Sequence, residues 1–75
     1  MARGVRVTLD RRAVEDNVKY FENEEDYFYA LKWDAQTGMT EVRKIEVERP
    51  SMFIVIAIYP PHLLAECCVI ESEED

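Results

Sequence analysis

The chain has 75 residues, of which 48% are apolar, with 2 Gly, 3 Pro and a formal net charge of −7. This length gives a single domain near the lower limit for one apolar core, and the composition is that of a folded chain. Because phosphate backbones attract Lys and Arg, the acidic balance argues against direct binding to nucleic acid.

The acidic residues are concentrated in two blocks. Residues 1–20 carry five basic and three acidic side chains, residues 21–26 carry four acidic ones, residues 27–50 carry four of each, and residues 51–75 carry five acidic ones and no Lys or Arg. An acidic surface of this kind steers a protein towards basic partners.

The sequence also bears on location. No long hydrophobic signal region follows the N-terminus, and the longest apolar run, residues 52–59, is too short to span a bilayer as a helix. Cys67 and Cys68 are adjacent, and neighbouring cysteines form only a strained disulfide, which fits a reducing compartment. We predict a cytoplasmic protein without membrane contact.

The first elements are a strand and a helix. Residues 5–9 alternate apolar and polar, the period of a strand with one buried face. The inward side chains are Val5, Val7 and Leu9. Asp10 can then cap the free N–H groups of a helix, after which apolar residues recur at helical spacing and opposite charges such as Glu15 and Lys19 lie four apart. This pattern predicts an amphipathic helix over residues 10–22.

The middle of the chain predicts a hairpin. The acidic residues 22–26 end the helix, because carboxylates at a helix C-terminus oppose its dipole. Residues 27–33 are rich in aromatic side chains and favour a strand. Residues 34–38 end in Gly and suit a hairpin turn, and residues 39–48 form the return strand. The alternation of that strand slips near Arg43, where a bulge would restore it.

The most apolar stretch is residues 51–59, whose two faces are both apolar and both need cover. It lies between Pro50 and the pair Pro60-Pro61, which break strand pairing. We expect it near the middle of a sheet, beside the first strand. Residues 61–68 are compatible with a short helix that has Pro at its first position, or with a last strand through residues 67–70, and we favour the helix.

Together these elements predict an α+β domain over residues 1–70. It contains a four-stranded, mainly antiparallel sheet, the helix over residues 10–22 on one face and the short helix over residues 61–68. One helix covers only one face, so the other requires the C-terminal segment, a second copy or a partner. Residues 71–75 are predicted to form a disordered acidic tail.

The sequence shows no catalytic, cofactor or metal motif. His62, Cys67 and Cys68 fall short of the four ligands of a closed zinc site, and they lack the oriented base and oxyanion site of a Cys-His nucleophile pair. Small buried hydrophobes are the simpler interpretation of the cysteines. Residues 22–26 lack the central Gly and the distal Glu of an EF-hand loop. We expect neither enzymatic activity nor a cofactor.

An acidic and aromatic set is the candidate for partner binding. Its members are Glu22, Glu24, Glu25, Asp26, Tyr27, Tyr29 and Trp33. The rings either pack in the core beneath the helix or, if the helix covers the opposite face, form an exposed binding surface flanked by carboxylates.

These features predict a small acidic, non-enzymatic module that docks on a basic site of a partner protein. In size and charge the chain is similar to small acidic inhibitors encoded by phages or mobile elements, and a nucleic-acid mimic is a narrower version of the same hypothesis. The alternative is a structural homo-oligomer, such as a homodimer whose uncovered sheet face is closed by its own copy, or an accessory subunit of a larger complex.

Overall fold

The computed structural model describes residues 2–71, which form six β-strands and no helix. The strands are β1 (Ala2–Leu9), β2 (Val18–Glu22), β3 (Tyr27–Trp33), β4 (Thr40–Glu46), β5 (Phe53–Tyr59) and β6 (Leu64–Glu71). They form two three-stranded antiparallel sheets, with the strand orders β2-β1-β6 and β3-β4-β5. The predicted α+β fold with one four-stranded sheet is therefore wrong, and this part of the chain is all-β.

The core lies between the two sheets. Its buried apolar residues are Val5, Val7, Leu9 and Val42. The first three are alternate residues of β1, as the period of two predicted, and the fourth lies on the central strand of the second sheet. The second sheet approaches the first mainly through β3. Because β3 and β5 lie on opposite sides of β4, β5 is at the far edge of the molecule's second sheet.

The predicted helix over residues 10–22 is reduced to a single turn. The Asp10 carbonyl accepts hydrogen bonds from the N–H groups of Ala13 and Val14 at 3.0 and 3.1 Å. The Asp10 carboxylate accepts one from the N–H of Arg12 at 2.9 Å. Asp10 therefore does begin a turn, as its capping chemistry predicted, but the chain does not continue it.

The second half of that segment forms β2 instead. Val18 pairs with Thr8 and Phe21 pairs with Val5, so β2 lies antiparallel to β1. Ion pairs four residues apart stabilise a helix by only about 0.2–0.5 kcal/mol each. A strand rich in β-branched and aromatic residues gains more from pairing along a buried neighbour, which is why the tertiary context prevails here.

The predicted helix over residues 61–68 is also a turn followed by a strand. The N–H groups of Leu63 and Leu64 donate to the Pro60 carbonyl at 3.1 and 3.2 Å. From Leu64 the chain pairs with β1 as β6, the last strand that we had considered as the alternative. The segment forms a strand because β1 has a free edge. Pairing with that edge adds backbone hydrogen bonds between the two strands, which a helix would not make. Of the predicted tail, Glu71 ends β6 and residues 72–75 lie outside the described residues.

The predicted hairpin is confirmed. Residues 34–39 connect β3 to β4, and the Gly38 N–H donates to the Asp34 carbonyl at 2.7 Å. Gly38 has a φ of 76°, a left-handed conformation that glycine adopts without strain. The pairing of β4 with β5 shifts next to Arg43, where a bulge was expected, but the extra residue, Ile56, lies in β5.

The position predicted for the apolar stretch is wrong. Residues 53–59 form an edge strand of a three-stranded sheet, and β1 lies in the other sheet. This follows from the pairing of β1, which has β2 on one side and β6 on the other and so leaves no edge for β5.

Candidate protein-binding surface

A continuous apolar surface lies on β5 and on the residue before it. We call it the β5 surface, and it consists of Met52, Phe53, Ile54, Val55, Ile56 and Ile58. The exposed fraction of these residues ranges from 39% to 61%. Together they expose on the order of 500 Å², which is within the size range of the largest apolar patch on a typical monomer, and such patches are often functional.

The β5 surface includes both faces of the sheet. Ile54 pairs with Lys44, which is two residues from the buried Val42 and so lies on the face towards the first sheet. Phe53 pairs with Ile45 on the outer face. Since directly paired residues share a face, apolar side chains are exposed on both sides of the strand.

An ion pair covers part of the outer face. The Arg43 guanidinium carbon lies 4.4 Å from the centre of the Phe53 ring, and Arg43 Nε donates to Glu41 Oε1 at 3.0 Å. The Phe53 residue is nevertheless 43% exposed. The guanidinium stacks on the ring without removing it from solvent.

A groove of about 430 Å³ opens at the beginning of β5. It is lined by Asp26, Tyr27, Lys44, Glu46, Ser51, Met52, Phe53 and Ile54. Lys44 Nζ lies 4.0 Å from the centre of the Tyr27 ring, so its charge is directed onto the aromatic face. The groove extends the β5 surface with a rim of mixed charge.

The four edge strands differ in how their edges are protected. Charged residues on an edge strand discourage pairing with another chain. Such residues occur on β2, β3 and β6, namely Lys19, Glu22, Lys32 and Glu66. The sequence of β5, FIVIAIY, contains none.

The open edge of β3 also has local hydrogen-bond partners. The Tyr29 N–H donates to Asn23 Oδ1 at 2.9 Å, and the Glu24 N–H donates to the Tyr27 carbonyl at 2.9 Å. In the described part of the chain, no strand pairs with the outer edge of β5. The uncharged edge of β5 is thus the one best suited to accept a further strand.

The acidic part of the predicted binding set lies at one end of β3. Glu22 ends β2, and the three acidic residues that follow form the exposed connection to β3. The Tyr27 hydroxyl donates a hydrogen bond to Glu24, and this bond raises the pKa of Tyr27. The remaining acidic members of the connection are Glu25 and Asp26.

The aromatic part of that set is divided. The Tyr29 ring lies 5.4 Å from the Phe21 ring and 5.5 Å from the Tyr27 ring, and it packs against the core. Trp33 is 65% exposed at the other end of β3, about 20 Å from Tyr27 along an extended strand. The structure therefore brings Glu24, Tyr27 and Tyr29 together but separates Trp33 from them.

The cysteines of β6 lie on opposite faces of the first sheet. Cys67 pairs with the buried Val7, and Cys68 pairs with Arg6. Burial is the main cause that raises the pKa of the Cys67 thiol, with smaller contributions from Cys68 and Glu66. Among the described residues, no three His, Cys, Asp or Glu side chains are grouped to hold a metal ion.

Residues 2–71 contain no helix that could cross a membrane.

The sequence did not reveal that the β5 surface is exposed at the edge of a sheet. The signal was present, because residues 52–59 are uncharged and apolar on both faces. That pattern favours a central strand, which is the commoner place for it. Only the pairing of the other strands shows that this segment lies at an edge.

Comparison of the chain with protein-family models, with curated proteins and with solved structures finds no match. Its function must therefore be inferred from its own residues and their arrangement.

Proposed function

We propose that the protein is a non-enzymatic interaction module that joins another polypeptide through the β5 edge. The single observation that carries this proposal is the combination found on β5: an open edge, no charged residue and apolar side chains exposed on both faces. A folded chain gains by removing such a surface from water.

Strand addition is the binding mode that fits this arrangement. A strand that pairs with β5 satisfies the N–H and C=O groups of the open edge through backbone hydrogen bonds. Its side chains lie above and below the sheet, so they contact both Ile54 on the inner face and Phe53 on the outer face. A partner that packs on one face alone would leave the other exposed.

The acidic residues of the predicted set have a secondary place in this proposal. Glu24, Glu25 and Asp26 lie in the β2–β3 connection rather than on β5. Steering towards a basic partner, the inhibitor-like role and the cytoplasmic location remain predictions from the sequence. The electrostatic part would show as association that weakens with added salt.

Site-specific photo-crosslinking tests the proposed function. A photoreactive amino acid replaces Ile54, which is 61% exposed on β5, or Tyr20, which is 64% exposed on β2 and serves as the control. Both proteins are irradiated in an extract of the cells that produce the chain. We expect a discrete crosslinked polypeptide from position 54 and none of that mass from position 20.

Two results would contradict the proposal. One is the absence of a discrete product from position 54 over a range of concentrations. The other is an identical set of products from both positions, because general exposure rather than the β5 edge would then determine the contacts.

A further inference from the structure

We infer that the polypeptide joined at the β5 edge is β5 of a second copy of this chain. The two strands run antiparallel about a two-fold axis near the middle of β5 and form one continuous six-stranded sheet. This inference rests on the proposed function and names its partner.

The charge on the edge selects the second copy. From Pro50 to Ala65 the chain has no Asp, Glu, Lys or Arg. A basic partner strand would find no acidic group on β5 to pair with, whereas a second β5 presents the same neutral, apolar side chains. Two copies can therefore meet along this edge without placing like charges opposite each other.

The symmetry of the edge supports a closed dimer. Two identical edges pair about a two-fold axis only when the strands run antiparallel, and each copy then contributes the same surface. In the six-stranded sheet the outermost strands are the two copies of β3. Their edges carry Lys32 and the hydrogen bond from Tyr29 to Asn23, so the sheet does not add further copies.

The small contact area indicates a weak dimer, which forms only at high protein concentration. Each copy exposes on the order of 500 Å² on the β5 surface, and edge pairing buries only the part of it that faces the second strand, against about 800 Å² per partner in a standard stable interface. The backbone hydrogen bonds of the strand pair add to this area. We expect a dimer that forms at high micromolar concentration and dissociates on dilution, with both species folded.

Sedimentation equilibrium over a concentration series tests the dimer. Ile54→Lys places a charge on the inner face of β5, Ile58→Lys places one near its end, and Tyr20→Lys is the control on the exposed side of the first sheet. All three positions are more than half exposed, so the variants should fold. We expect the dissociation constant of the dimer to rise at least tenfold for both β5 variants and to stay unchanged for the control.

The two β5 variants also separate edge pairing from the stacking of outer faces. Ile58 pairs with Glu41 on the outer face, whereas Ile54 lies on the inner face. Stacked outer faces would be sensitive to Ile58→Lys and insensitive to Ile54→Lys, which would overturn the inference. A folded wild-type monomer at every concentration would also overturn it.

Salt distinguishes a second copy from a basic partner. Each chain carries a net charge of −7, so screening reduces the repulsion between two copies. We expect the dimer to become tighter as salt is added. A dimer that weakens steeply with salt would mean that opposite charges hold it, in disagreement with pairing along the neutral edge.

Disulfide trapping tests the antiparallel direction. In a Cys67→Ala, Cys68→Ser background, a single cysteine is introduced at Val55, near the axis, or at Ser51. Antiparallel pairing brings the two copies of position 55 together but separates the two copies of position 51 by about 30 Å. We expect a crosslinked dimer from Val55→Cys alone. Crosslinking from Ser51→Cys as well would indicate parallel strands and overturn the geometry.

Different experimental results would refute the dimer and the interaction module. A purified chain that stays monomeric, but crosslinks through position 54 to a different polypeptide in the extract, would refute the dimer and retain the interaction module. The absence of any crosslink through position 54 would refute both.

Discussion

The backbone N–H of Tyr29 donates a hydrogen bond to the side-chain oxygen of Asn23, with 2.9 Å between the two atoms. This N–H lies on the side of β3 away from β4, where a neighbouring strand would otherwise pair. A loop side chain thus occupies one backbone position on the outer edge of β3, whereas no strand of residues 2–71 pairs with the outer edge of β5. This difference makes β5 the edge at which we propose that the sheet extends.

Loss of the Asn23 side chain should destabilise the fold. Asn23→Ala removes the acceptor of the Tyr29 N–H, and we expect the free energy of unfolding to fall by about 1–2 kcal/mol. Asn23→Asp keeps an oxygen acceptor and should cost less. Urea unfolding at one fixed protein concentration measures both. Equal losses for the two variants would mean that the acceptor is not what Asn23 contributes.

Gly4 should be intolerant of any side chain. It is buried in β1, and a Cβ at this position would overlap the backbone carbonyl of Phe21 in β2. Because that oxygen belongs to the paired strand, the strands must separate to make room, and we expect Gly4→Ala to cost about 2–3 kcal/mol.

Gly38→Ala provides a comparison for Gly4→Ala. Gly38 has a φ of 76°, and a Cβ there would lie 3.1 Å from Pro61 Cγ. We expect a cost of about 1 kcal/mol, since the neighbour is a side-chain atom and the main penalty is the left-handed backbone. Thermal unfolding should therefore rank Gly38→Ala above Gly4→Ala in stability, and the reverse order would contradict the packing of β1 on β2.

The core between the sheets should be sensitive to cavities. Val7 is fully buried, and Val7→Ala removes two carbon atoms from the contact of β1 with the second sheet. We expect a loss of about 2 kcal/mol from transfer and cavity terms together. Val47→Ala makes the same chemical change at a residue that is 48% exposed, and its effect should be small. Urea unfolding measures the free energy of unfolding of both variants.

Asp10 should contribute stability that is lost in acid. Hydrogen bonds from the side chain and then from the backbone N–H of Arg12 lower the pKa of Asp10 in the folded state. A lowered pKa means that the stabilisation is complete above the unfolded pKa, about 3.9, and is lost as the pH falls through the folded value. The change therefore occurs below about pH 4.

Asp10→Asn isolates this contribution, because the amide keeps an oxygen acceptor but does not ionise. We expect the wild type to be more stable at neutral pH and the difference to shrink as the pH falls below about 4. Unfolding curves at a series of pH values measure it. A difference that stays constant with pH would show that ionisation of Asp10 is not the source.

The sequence predicted the elements that follow from local chemistry. The period of two in β1 identified Val5, Val7 and Leu9 as inward residues, and the aromatic run identified β3 within its observed bounds. The turn at residues 34–38 was predicted from its length and its final Gly, and in the structure Gly38 has the left-handed conformation that glycine adopts without strain. Each of these depends on residues that are neighbours in the chain.

The candidate site could be predicted only in part. The acidic and aromatic set was chosen because its residues are close in sequence, but a strand extends about 3.3 Å per residue and places Trp33 far from Tyr27. Conversely, the members of the β5 surface were recognised as apolar but were placed in a strand near the middle of a sheet. Exposure depends on what lies beside a strand, and composition does not contain that information.

The apolar, uncharged character of β5 and the shortage of material to cover both its faces follow from the residues alone. That residues 18–22 and 64–71 are strands follows from long-range contacts, because pairing with β1 outweighs their weak local preference for helix. Those two pairings occupy both edges of β1. As a result, β5 pairs with β4 alone and lies at the edge, and its apolar residues, which would be buried in a central strand, form the surface through which we propose that two copies join.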